Sequence, residues 1–468
     1  MPKLDVKIPR RIINESSLLV SGRIIHGVKH AMPDVIVKSS KGSYVYTECG
    51  RSLLDFSCGI GVTNLGHSHE RVSEAVINSV TNLVHAQQNI FKHRPMVDLV
   101  NRLSNLDLSV AASLNSWFLW NSGAEAVEAA VKLARQATGK PNIVAVNLGY
   151  HGRTIGTMAL TSSSTIYRAG FGPLMGGVHF TPFPYLTHST NDRSNWLKHP
   201  SVDGFAYWGA APRDVVDREV SNALAAFELL LRTQSSANET AAIIIEPVLG
   251  EGGYLPSPPG FLSGLRKICD KNGILLIADE VQTGFGRTGS LFACEWIDDG
   301  VSPDILVLAK GLGNGIPISA IGTRNELASR QPPGSMGGTY GGNAVGCAAA
   351  LAVIDVFEED NILDNVMTME NELRIGLSRV SSKHPGVIRE IRGRGLMIGV
   401  EFERLPGFTV GGLASAVASR CHQKGLIILN CGPYDTLRFI PPLTISSKDI
   451  QLGVQIFDEA VAEVIRKG

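Results

Sequence analysis

Residues 303–315 read PDILVLAKGLGNG, an apolar run that ends in a lysine and continues into a glycine-rich segment. A lysine at the edge of a core usually extends its ammonium to water, so Lys310 alone indicates no function. Similar apolar runs occur upstream at 143–146, 241–248 and 273–281. Short continuous apolar runs separated by helical stretches are typical of parallel strands buried on both faces. The sequence therefore predicts an α/β domain.

Three of these runs carry an ionisable residue at their carboxyl end. Glu246 ends one run, Asp279 and Glu280 end the next, and Lys310 ends the last. The carboxyl ends of the strands in an open parallel sheet line the ligand crevice. One such residue could be a surface charge at a strand end, but three from separate segments favour a binding site.

Composition excludes several classes of protein. Hydrophobic residues make up 44% and charged residues 18% of the 468 residues, which are ordinary globular values. Lysine plus arginine equals aspartate plus glutamate, at 43 each, so we expect neither nucleic acid nor a membrane as a partner. The seven cysteines form no CxxC pair, which predicts neither a disulfide framework nor a metal site.

The chain is long enough for two domains. The sequence pattern changes near residue 340, from buried apolar runs to a helical stretch followed by polar segments with short strands. We therefore predict a large domain at 61–340 and a smaller α+β domain formed by 1–60 and 341–468. The segment 186–240 resembles an insertion with one amphipathic helix at 220–233. Residues 1–16 lack the apolar segment of a secretion signal, so we expect a cytoplasmic location, with a mitochondrial one still open.

A helix is predicted to begin in WNSGAEAVEAAVKLAR, at residues 120–135. Ser122 and Glu125 have the spacing of a capping box. Gly123 and Ala124 leave the first N–H groups uncovered, and such a helix terminus can bind a phosphate.

The segment GFGRTG at 284–289 matches the glycine pattern of a dinucleotide site. That pattern should open a helix directly after a strand, and this segment does neither. We therefore predict a turn here rather than a nicotinamide or flavin site.

Together, these features meet the three requirements of pyridoxal phosphate. A desolvated lysine has a lowered pKa and can form a Schiff base with an aldehyde, a role open to Lys310. A carboxylate such as Asp279 can keep a pyridine nitrogen protonated, which makes the ring an electron sink. The uncovered helix terminus at Ser122 can hold the phosphate.

Seven motifs resemble those of the class-III aminotransferases of fold type I, in the order of that family. The resemblance extends from about residue 30 to 445, and the lysine follows the aspartate by 31 residues, as in the family. It implies a large domain with a mixed, mostly parallel sheet flanked by helices, and a smaller α+β domain. The motifs are DFSCGIGVTNLGH, NSGAEAVEAAVKLAR, GYHGRTIGTMALT, IIIEPVLGEGG, LLIADEVQTGFGRTG, PDILVLAKGLGNGIPISA and GGTYGGN.

The resemblance also implies which residues contact the cofactor. Lys310 resembles the Schiff-base lysine that shuttles the proton, and Asp279 the partner of the pyridinium nitrogen. Thr339 would come from a second subunit, which implies a homodimer with shared active sites. The other implied contacts are Gln282 at the phenolate oxygen, Tyr150 and Val281 on the two ring faces, His151, and Ser122, Gly123 and Ala124 at the phosphate.

For the substrate, the resemblance implies a ω-amino acid such as 4-aminobutyrate, with 2-oxoglutarate as acceptor in a ping-pong reaction. Arg153 resembles the arginine that holds the distant carboxylate of the donor. Glu251 and Arg438 resemble an ion pair that opens to admit the α-carboxylate of the acceptor. Ile60 and Glu246 resemble further pocket residues of the 4-aminobutyrate branch.

Other donors stay open at this point. Ornithine and acetylornithine aminotransferases share the HGRT and GEGG elements, and a broad ω-amine aminotransferase could use pyruvate or 2-oxoglutarate. Leu249, Gly342 and Ala344 stand where glutamine, alanine and proline are more usual. A decarboxylase or aminomutase of the same fold would use the same cofactor residues.

Overall fold

The computed structural model describes residues 24–25, 27–188, 208 and 211–466. Its strands are β1 (Val37–Lys41), β2 (Tyr44–Thr47), β3 (Ser52–Asp55), β4 (Ser116–Trp120), β5 (Asn142–Val146), β6 (Val178–Thr181), β7 (Thr240–Ile245), β8 (Val248–Leu249), β9 (Leu255–Pro256), β10 (Leu275–Asp279), β11 (Ile305–Leu308), β12 (Ser319–Thr323), β13 (Ile388–Arg394), β14 (Met397–Phe402), β15 (Leu426–Ile427), β16 (Leu429–Cys431) and β17 (Thr436–Phe439). Its helices are α1 (Cys58–Gly61), α2 (Glu70–Asn82), α3 (Arg94–Ser104), α4 (Gly123–Thr138), α5 (Ile155–Leu160), α6 (Arg213–Thr233), α7 (Phe261–Asn272), α8 (Asn325–Ala328), α9 (Ala344–Glu359), α10 (Ile362–Lys383), α11 (Gly412–Lys424) and α12 (Ser447–Ile465).

The central sheet has seven strands in the order β4-β12-β11-β10-β7-β5-β6. The five strands from β11 to β6 are parallel, and β12 runs antiparallel to both of its neighbours. Every residue of β7, β10, β11 and β12 is buried. The predicted α/β fold with a mixed, mostly parallel sheet is confirmed.

Helices cover both faces of this sheet, which is why its central strands are buried throughout. Successive strand residues point to opposite faces. Ile277 belongs to the core cluster that includes Val127 and Val131 of α4, whereas Leu276 belongs to the cluster that includes Phe261 of α7. The carboxyl ends of the parallel strands are left free to form a site.

Two four-stranded sheets lie outside the central sheet, in the orders β1-β2-β3-β15 and β13-β14-β17-β16. The short strand β15 pairs in parallel with β3, Leu426 opposite Leu54 and Ile427 opposite Asp55. Segments from the two ends of the chain therefore share one sheet. The boundaries predicted at residues 60 and 340 stay a prediction.

Several local expectations can be compared with the observed elements. The amphipathic helix expected at 220–233 is α6, which already begins at Arg213. The rest of the predicted insertion at 186–240 lies partly outside the described residues.

Six of the seven cysteines are buried, and Cys49 is exposed. No helix in the described ranges combines the length and the apolar character needed to cross a bilayer.

The segment at 284–289 forms turns, as predicted. Its arginine, Arg287, is fully buried and joins distant parts of the chain. Arg287 Nη1 donates to the carbonyl oxygens of Leu396 (3.0 Å) and Pro441 (2.6 Å), and Nη2 donates to Asn64 Oδ1 (2.9 Å). This arginine therefore has a structural role that its motif did not indicate.

Candidate active site

A cavity of about 520 Å³ lies at the carboxyl ends of the parallel strands. Most of the predicted site residues line it, as expected for the crevice of an open parallel sheet. These are Ser122, Gly123, Ala124, Tyr150, His151, Arg153, Glu246, Glu251, Asp279, Val281, Gln282 and Lys310.

Lys310 lies two residues beyond β11, where the chain leaves the sheet. Its φ of +46° is in the left-handed region, which is uncommon for a residue with a side chain. Burial lowers its pKa to about 8, although the nearby carboxylates of Glu251 and Glu246 oppose that shift. Its amine can therefore lose its proton near neutral pH, as a nucleophile or a base must.

The glycines after Lys310 are required by close packing. A Cβ on Gly311 would lie 2.4 Å from Asn64 Nδ2, and one on Gly313 would lie 2.2 Å from the carbonyl oxygen of Ile316. No side chain fits at either position. The glycines thus let the backbone turn sharply beside the lysine. This close packing explains why glycines follow the apolar run and the lysine in the segment at 303–315.

Asp279 ends β10 and is held by a histidine from a neighbouring loop. His151 Nδ1 lies 2.7 Å from Asp279 Oδ2, and the N–H of Val281 donates to Asp279 Oδ1 at 3.1 Å. Asp279 is 3% exposed. The N–H of His151 donates to Thr161 Oγ1 at 3.0 Å, which fixes the loop that carries the histidine. The aspartate is therefore oriented before any ligand binds.

Glu246, directly after β7, joins two loops through its carboxylate. The N–H of Tyr150 donates to Oε1 at 2.7 Å, and the N–H of Gly250 donates to Oε2 at 2.9 Å. Burial raises the pKa of Glu246 to about 7, and the negative charge of Asp279 adds to this effect. In the structure Glu246 thus positions the loop of Tyr150 as well as lining the cavity.

The predicted helix terminus is the start of α4. Ser122 is its N-cap, and its Oγ accepts the N–H of Glu125 at 3.3 Å. The Ser122 hydroxyl also lies 3.0 Å from Glu125 Oε2. A Cβ on Gly123 would lie only 2.9 Å from Cγ1 of Val281. The helix terminus and Val281 therefore border the same narrow space.

Glu251, which lines the cavity, forms a largely buried ion pair with Arg438. Burial raises the pKa of Glu251, but Arg438 more than offsets this effect, so the pKa is lowered. Burial likewise lowers the pKa of Arg438, and Glu251 reverses that effect and raises it. Arg438 Nε is buried and has no hydrogen-bond partner in the described part of the chain.

One residue beside this pair, Tyr167, was not predicted. Its hydroxyl donates to Glu251 Oε2 at 3.3 Å, and the guanidinium of Arg153 lies 4.3 Å from its ring centroid. Arg153 Nε also donates to the hydroxyl of Tyr150 at 3.1 Å. Tyr167 lies in an irregular Ser-rich segment, where no periodic pattern or motif drew attention to it.

Three predicted residues do not line the cavity. Arg438 is buried and paired with Glu251, Ile60 is 38% exposed, and Thr339 is exposed in a turn. The cavity also has a set of lining residues that sequence reasoning did not select, several of which simply continue the lysine segment. They are Val62, Asn121, Gly152, Ala309, Gly315, Ile316, Pro317 and Ile318.

The residues of the cavity fit a cofactor with a phosphate, a ring nitrogen and an aldehyde. The α4 terminus offers backbone donors, Asp279 offers a fixed carboxylate, and Lys310 offers an amine of lowered pKa. Two buried polar atoms, Gln282 Oε1 and His151 Nε2, have no hydrogen-bond partner among the described residues. Buried polar groups are usually paired, so these atoms suggest that a ligand completes the site.

Comparisons with known proteins agree with this arrangement. The family model described as Aminotransferase class-III matches residues 25–461. The chain is 38% identical to the 5-aminovalerate aminotransferase DavT of Pseudomonas putida, over 92% of this chain and 94% of that protein. It is 36% identical to the 4-aminobutyrate aminotransferase GabT of Escherichia coli, over 94% and 97% of the two chains.

Two further comparisons widen the set of relatives. The chain is 37% identical to the acetylornithine aminotransferase of Corynebacterium efficiens, over 93% of this chain and 94% of that protein. A crystal structure of an amine transaminase from an uncultivated Pseudomonas species, in its PLP-bound form, superposes with a TM-score of 0.80 at 28% identity and covers 92% and 95% of the two chains. The chain therefore belongs to the class-III aminotransferases, and its cofactor is pyridoxal phosphate.

Proposed function

We propose that the chain transfers the amino group of a ω-amino acid, such as 4-aminobutyrate or 5-aminovalerate, to 2-oxoglutarate. The observation that carries this proposal is the Glu251–Arg438 ion pair, which lies beside Arg153 at one cavity. Two arginines, one paired and one available, can serve two carboxylates at different distances from the reacting nitrogen. The names of the relatives in Pseudomonas putida and Escherichia coli support this choice of donor.

The cofactor would be held by groups that the fold has already oriented. The α4 terminus at Ser122 would receive the phosphate, and Asp279 would face the ring nitrogen. Val281 and Tyr150 would border the two ring faces, and Gln282 would donate to the phenolate oxygen. When bound, pyridoxal phosphate supplies an aldehyde that takes up the amino group and a ring that stabilises negative charge at the substrate carbon.

Lys310 is proposed to move the proton in each half-reaction. Its Nζ would take the proton from the carbon that bears the amino group and return it to the cofactor side. Burial lowers the pKa of Lys310 to about 8, so the amine can accept and release a proton near neutral pH. Burial of the segment after β11 therefore stabilises the core and also lowers the pKa of Lys310 for proton transfer.

Arg153 and Arg438 would sort the two substrates by the position of their carboxylates. With a ω-amino acid bound, Arg153 holds the distal carboxylate and Glu251 neutralises Arg438. With 2-oxoglutarate bound, Glu251 moves away and Arg438 binds the α-carboxylate. The ion pair in the structure corresponds to the first of these states.

A second candidate is an aminotransferase for ornithine, acetylornithine or a broader range of ω-amines, with pyruvate or 2-oxoglutarate as acceptor. The acetylornithine aminotransferase of Corynebacterium efficiens, at 37% identity, favours this alternative. A panel of these donors against both keto acids would separate the two candidates. The preferred donor should have a kcat/KM at least tenfold above the others.

A homodimer with shared active sites is also proposed, because Thr339 is exposed and is not among the residues that line the cavity of its own chain. The cytoplasmic location stays a prediction.

The arginine assignment is tested by following each half-reaction separately through the absorbance of the cofactor. We expect Arg438→Ala to lower kcat/KM for 2-oxoglutarate about a hundredfold, because a carboxylate loses a buried charged partner. The loss for 4-aminobutyrate should be tenfold or less. Arg153→Ala should lower kcat/KM for both substrates, because 2-oxoglutarate carries a distal carboxylate at the same distance from its reacting carbon as 4-aminobutyrate does.

A matched control is Arg213→Ala, since that arginine is 63% exposed on α6. It should change neither half-reaction. Equal losses in the two half-reactions of Arg438→Ala would contradict the proposed division of roles.

A further inference from the structure

Tyr167 contacts Arg153 directly and Arg438 indirectly, through Glu251. It ends a short 3₁₀ turn, Thr165–Tyr167, in the segment between α5 and β6. The guanidinium of Arg153 lies over its ring, with Cζ 4.3 Å from the centroid, which is a cation–π distance. The ring of Tyr150 meets the same ring edge to face, at 5.3 Å between centroids. The ring of Tyr167 thus supports Arg153 from one side.

The stacking leaves the outer nitrogens of Arg153 available. Its Nε donates to the hydroxyl of Tyr150 at 3.1 Å. Neither Nη has a hydrogen-bond partner among the described residues. A guanidinium held by its face and by Nε can present both Nη groups to a carboxylate. The position of Tyr167 therefore influences where the donor's carboxylate binds.

The hydroxyl of Tyr167 acts on the other arginine, through Glu251. Arg438 Nη1 contacts Glu251 Oε1, whereas the Tyr167 hydroxyl donates to Glu251 Oε2 at 3.3 Å. Burial raises the pKa of Tyr167 to about 12, and the charge of Glu251 adds to this effect. The hydroxyl therefore stays protonated at neutral pH and acts as a donor to the carboxylate.

We propose that Tyr167 is a positioning residue that sets the preference between ω-amino acids and α-carboxylate substrates, because its ring holds Arg153 while its hydroxyl holds Glu251 against Arg438. This inference rests on the proposed function and adds a residue to it. Opening the ion pair for 2-oxoglutarate must then break two contacts of Glu251, one to each partner. Tyr167 favours the closed pair, the state suited to a ω-amino acid.

The two contacts can be removed one at a time. Tyr167→Phe keeps the ring under Arg153 and removes only the hydroxyl, so Glu251 should leave Arg438 more readily. We expect the ratio of kcat/KM for 4-aminobutyrate to kcat/KM for 2-oxoglutarate to fall about tenfold, the effect of one hydrogen bond to a charged group. Tyr167→Leu also removes the stacking, and KM for the ω-amino donor should rise a further threefold or so.

Both variants are measured as the loaded enzyme, in single half-reactions followed by cofactor absorbance. Tyr46→Phe is the matched control, because Tyr46 is 41% exposed on β2 and should leave the ratio unchanged. The absorbance spectrum and melting temperature of each variant show whether the site and the fold are intact.

Equal changes in both half-reactions of Tyr167→Phe, or no change in either, would overturn the assignment of Tyr167. If the wild-type enzyme takes 2-oxoglutarate but no ω-amino donor, the proposed function itself fails, and the assignment fails with it. That outcome is visible before any variant is made. The two failures are therefore distinguishable.

Discussion

At the scale of single residues, the site depends on how much water reaches the amine of Lys310. Burial is the largest effect and lowers the pKa of this lysine to about 8, while the nearby Glu251 raises it. Glu246, in the same cavity, shows the opposite shift: burial raises its pKa to about 7. Both shifts favour the neutral form, as expected where charged groups lose solvent. The cavity is thus suited to proton transfer near neutral pH.

The pKa of Lys310 can be tested through the rate at which the apoprotein binds pyridoxal phosphate. Only the neutral amine attacks an aldehyde, and a lowered pKa makes that form available at lower pH. We expect the rate to rise about tenfold per pH unit up to about pH 8 and then to level off. Reconstitution followed by absorbance across pH 6 to 11 gives this profile.

A variant without the charge of Glu251 tests in which direction this carboxylate shifts the pKa of Lys310. Glu251 raises the pKa of Lys310, so Glu251→Gln should move the midpoint of the profile below that of the wild type. Glu326→Gln is the matched control, because that side chain is 81% exposed on α8. A wild-type rate that keeps rising up to the ordinary lysine pKa, above 10, would contradict a desolvated amine.

At the scale of elements, the start of α4 and the segment after β10 form the two sides of the cofactor space. Gly123 is the first residue of α4, and Val281 follows β10 by two residues. A Cβ on Gly123 would lie 2.9 Å from Cγ1 of Val281, closer than real side chains approach one another. The absence of a side chain at Gly123 therefore sets the distance between helix and strand.

We expect Gly123→Ala to weaken the binding of pyridoxal phosphate about tenfold. The added methyl group should push Val281 towards the ring, and overpacking of this kind typically costs about 1–3 kcal/mol. Adding Val281→Ala makes room for the methyl group, so the double variant should recover most of the affinity. Equilibrium titration of the apoproteins measures both effects.

Two outcomes would speak against this account. Unchanged affinity in Gly123→Ala would show that the element spacing tolerates a methyl group. If the double variant bound pyridoxal phosphate more weakly than Gly123→Ala does, Val281 would act by contact with the ring and not by spacing. Ala129→Val, on a fully buried position of α4, would show how a comparable overpacking away from the cavity affects the protein.

The elements also show how far the sequence could predict this site. Asp279 ends a buried strand, and Glu246 and Lys310 follow buried strands by one and two residues. Parallel strands bring such ends to one edge of a sheet, so the meeting of these residues was predictable. The position of Tyr167 was not predictable, because it depends on an irregular segment that has no periodic hydrophobic pattern. The structural role of Arg287 was hidden for a related reason, since its hydrogen-bond partners lie more than 100 residues away along the chain.

At the scale of the whole molecule, one surface stands out for its exposed apolar side chains. Ile90, Phe91 and Tyr340 are 65–69% exposed. The segments that carry them are in contact, since Asn89 Nδ2 donates to the carbonyl oxygen of Met336 at 3.1 Å. Large exposed apolar residues that cluster in this way often mark a protein interface.

Thr339 belongs to this surface, which supports the proposal that it acts in the site of a second subunit. If it does, each active site combines Lys310 of one chain with Thr339 of the other. The proposal can be tested without a structure of the dimer. Two inactive chains with complementary lesions should restore one site when they assemble.

We expect hybrids of a Lys310→Ala chain with a Thr339→Asp chain to have about half the activity of the wild-type dimer. The carboxylate in Thr339→Asp should repel the phosphate, and each lesion alone should leave little activity in its own homodimer. In the hybrid, the intact Lys310 and the intact Thr339 come from different chains and meet in one site. Activity no higher than that of the Thr339→Asp homodimer would show that Thr339 acts within its own chain, because the only chain with Lys310 would then carry the lesion. Co-expression with two affinity tags isolates the hybrid, and light scattering of the same sample establishes that two chains are present.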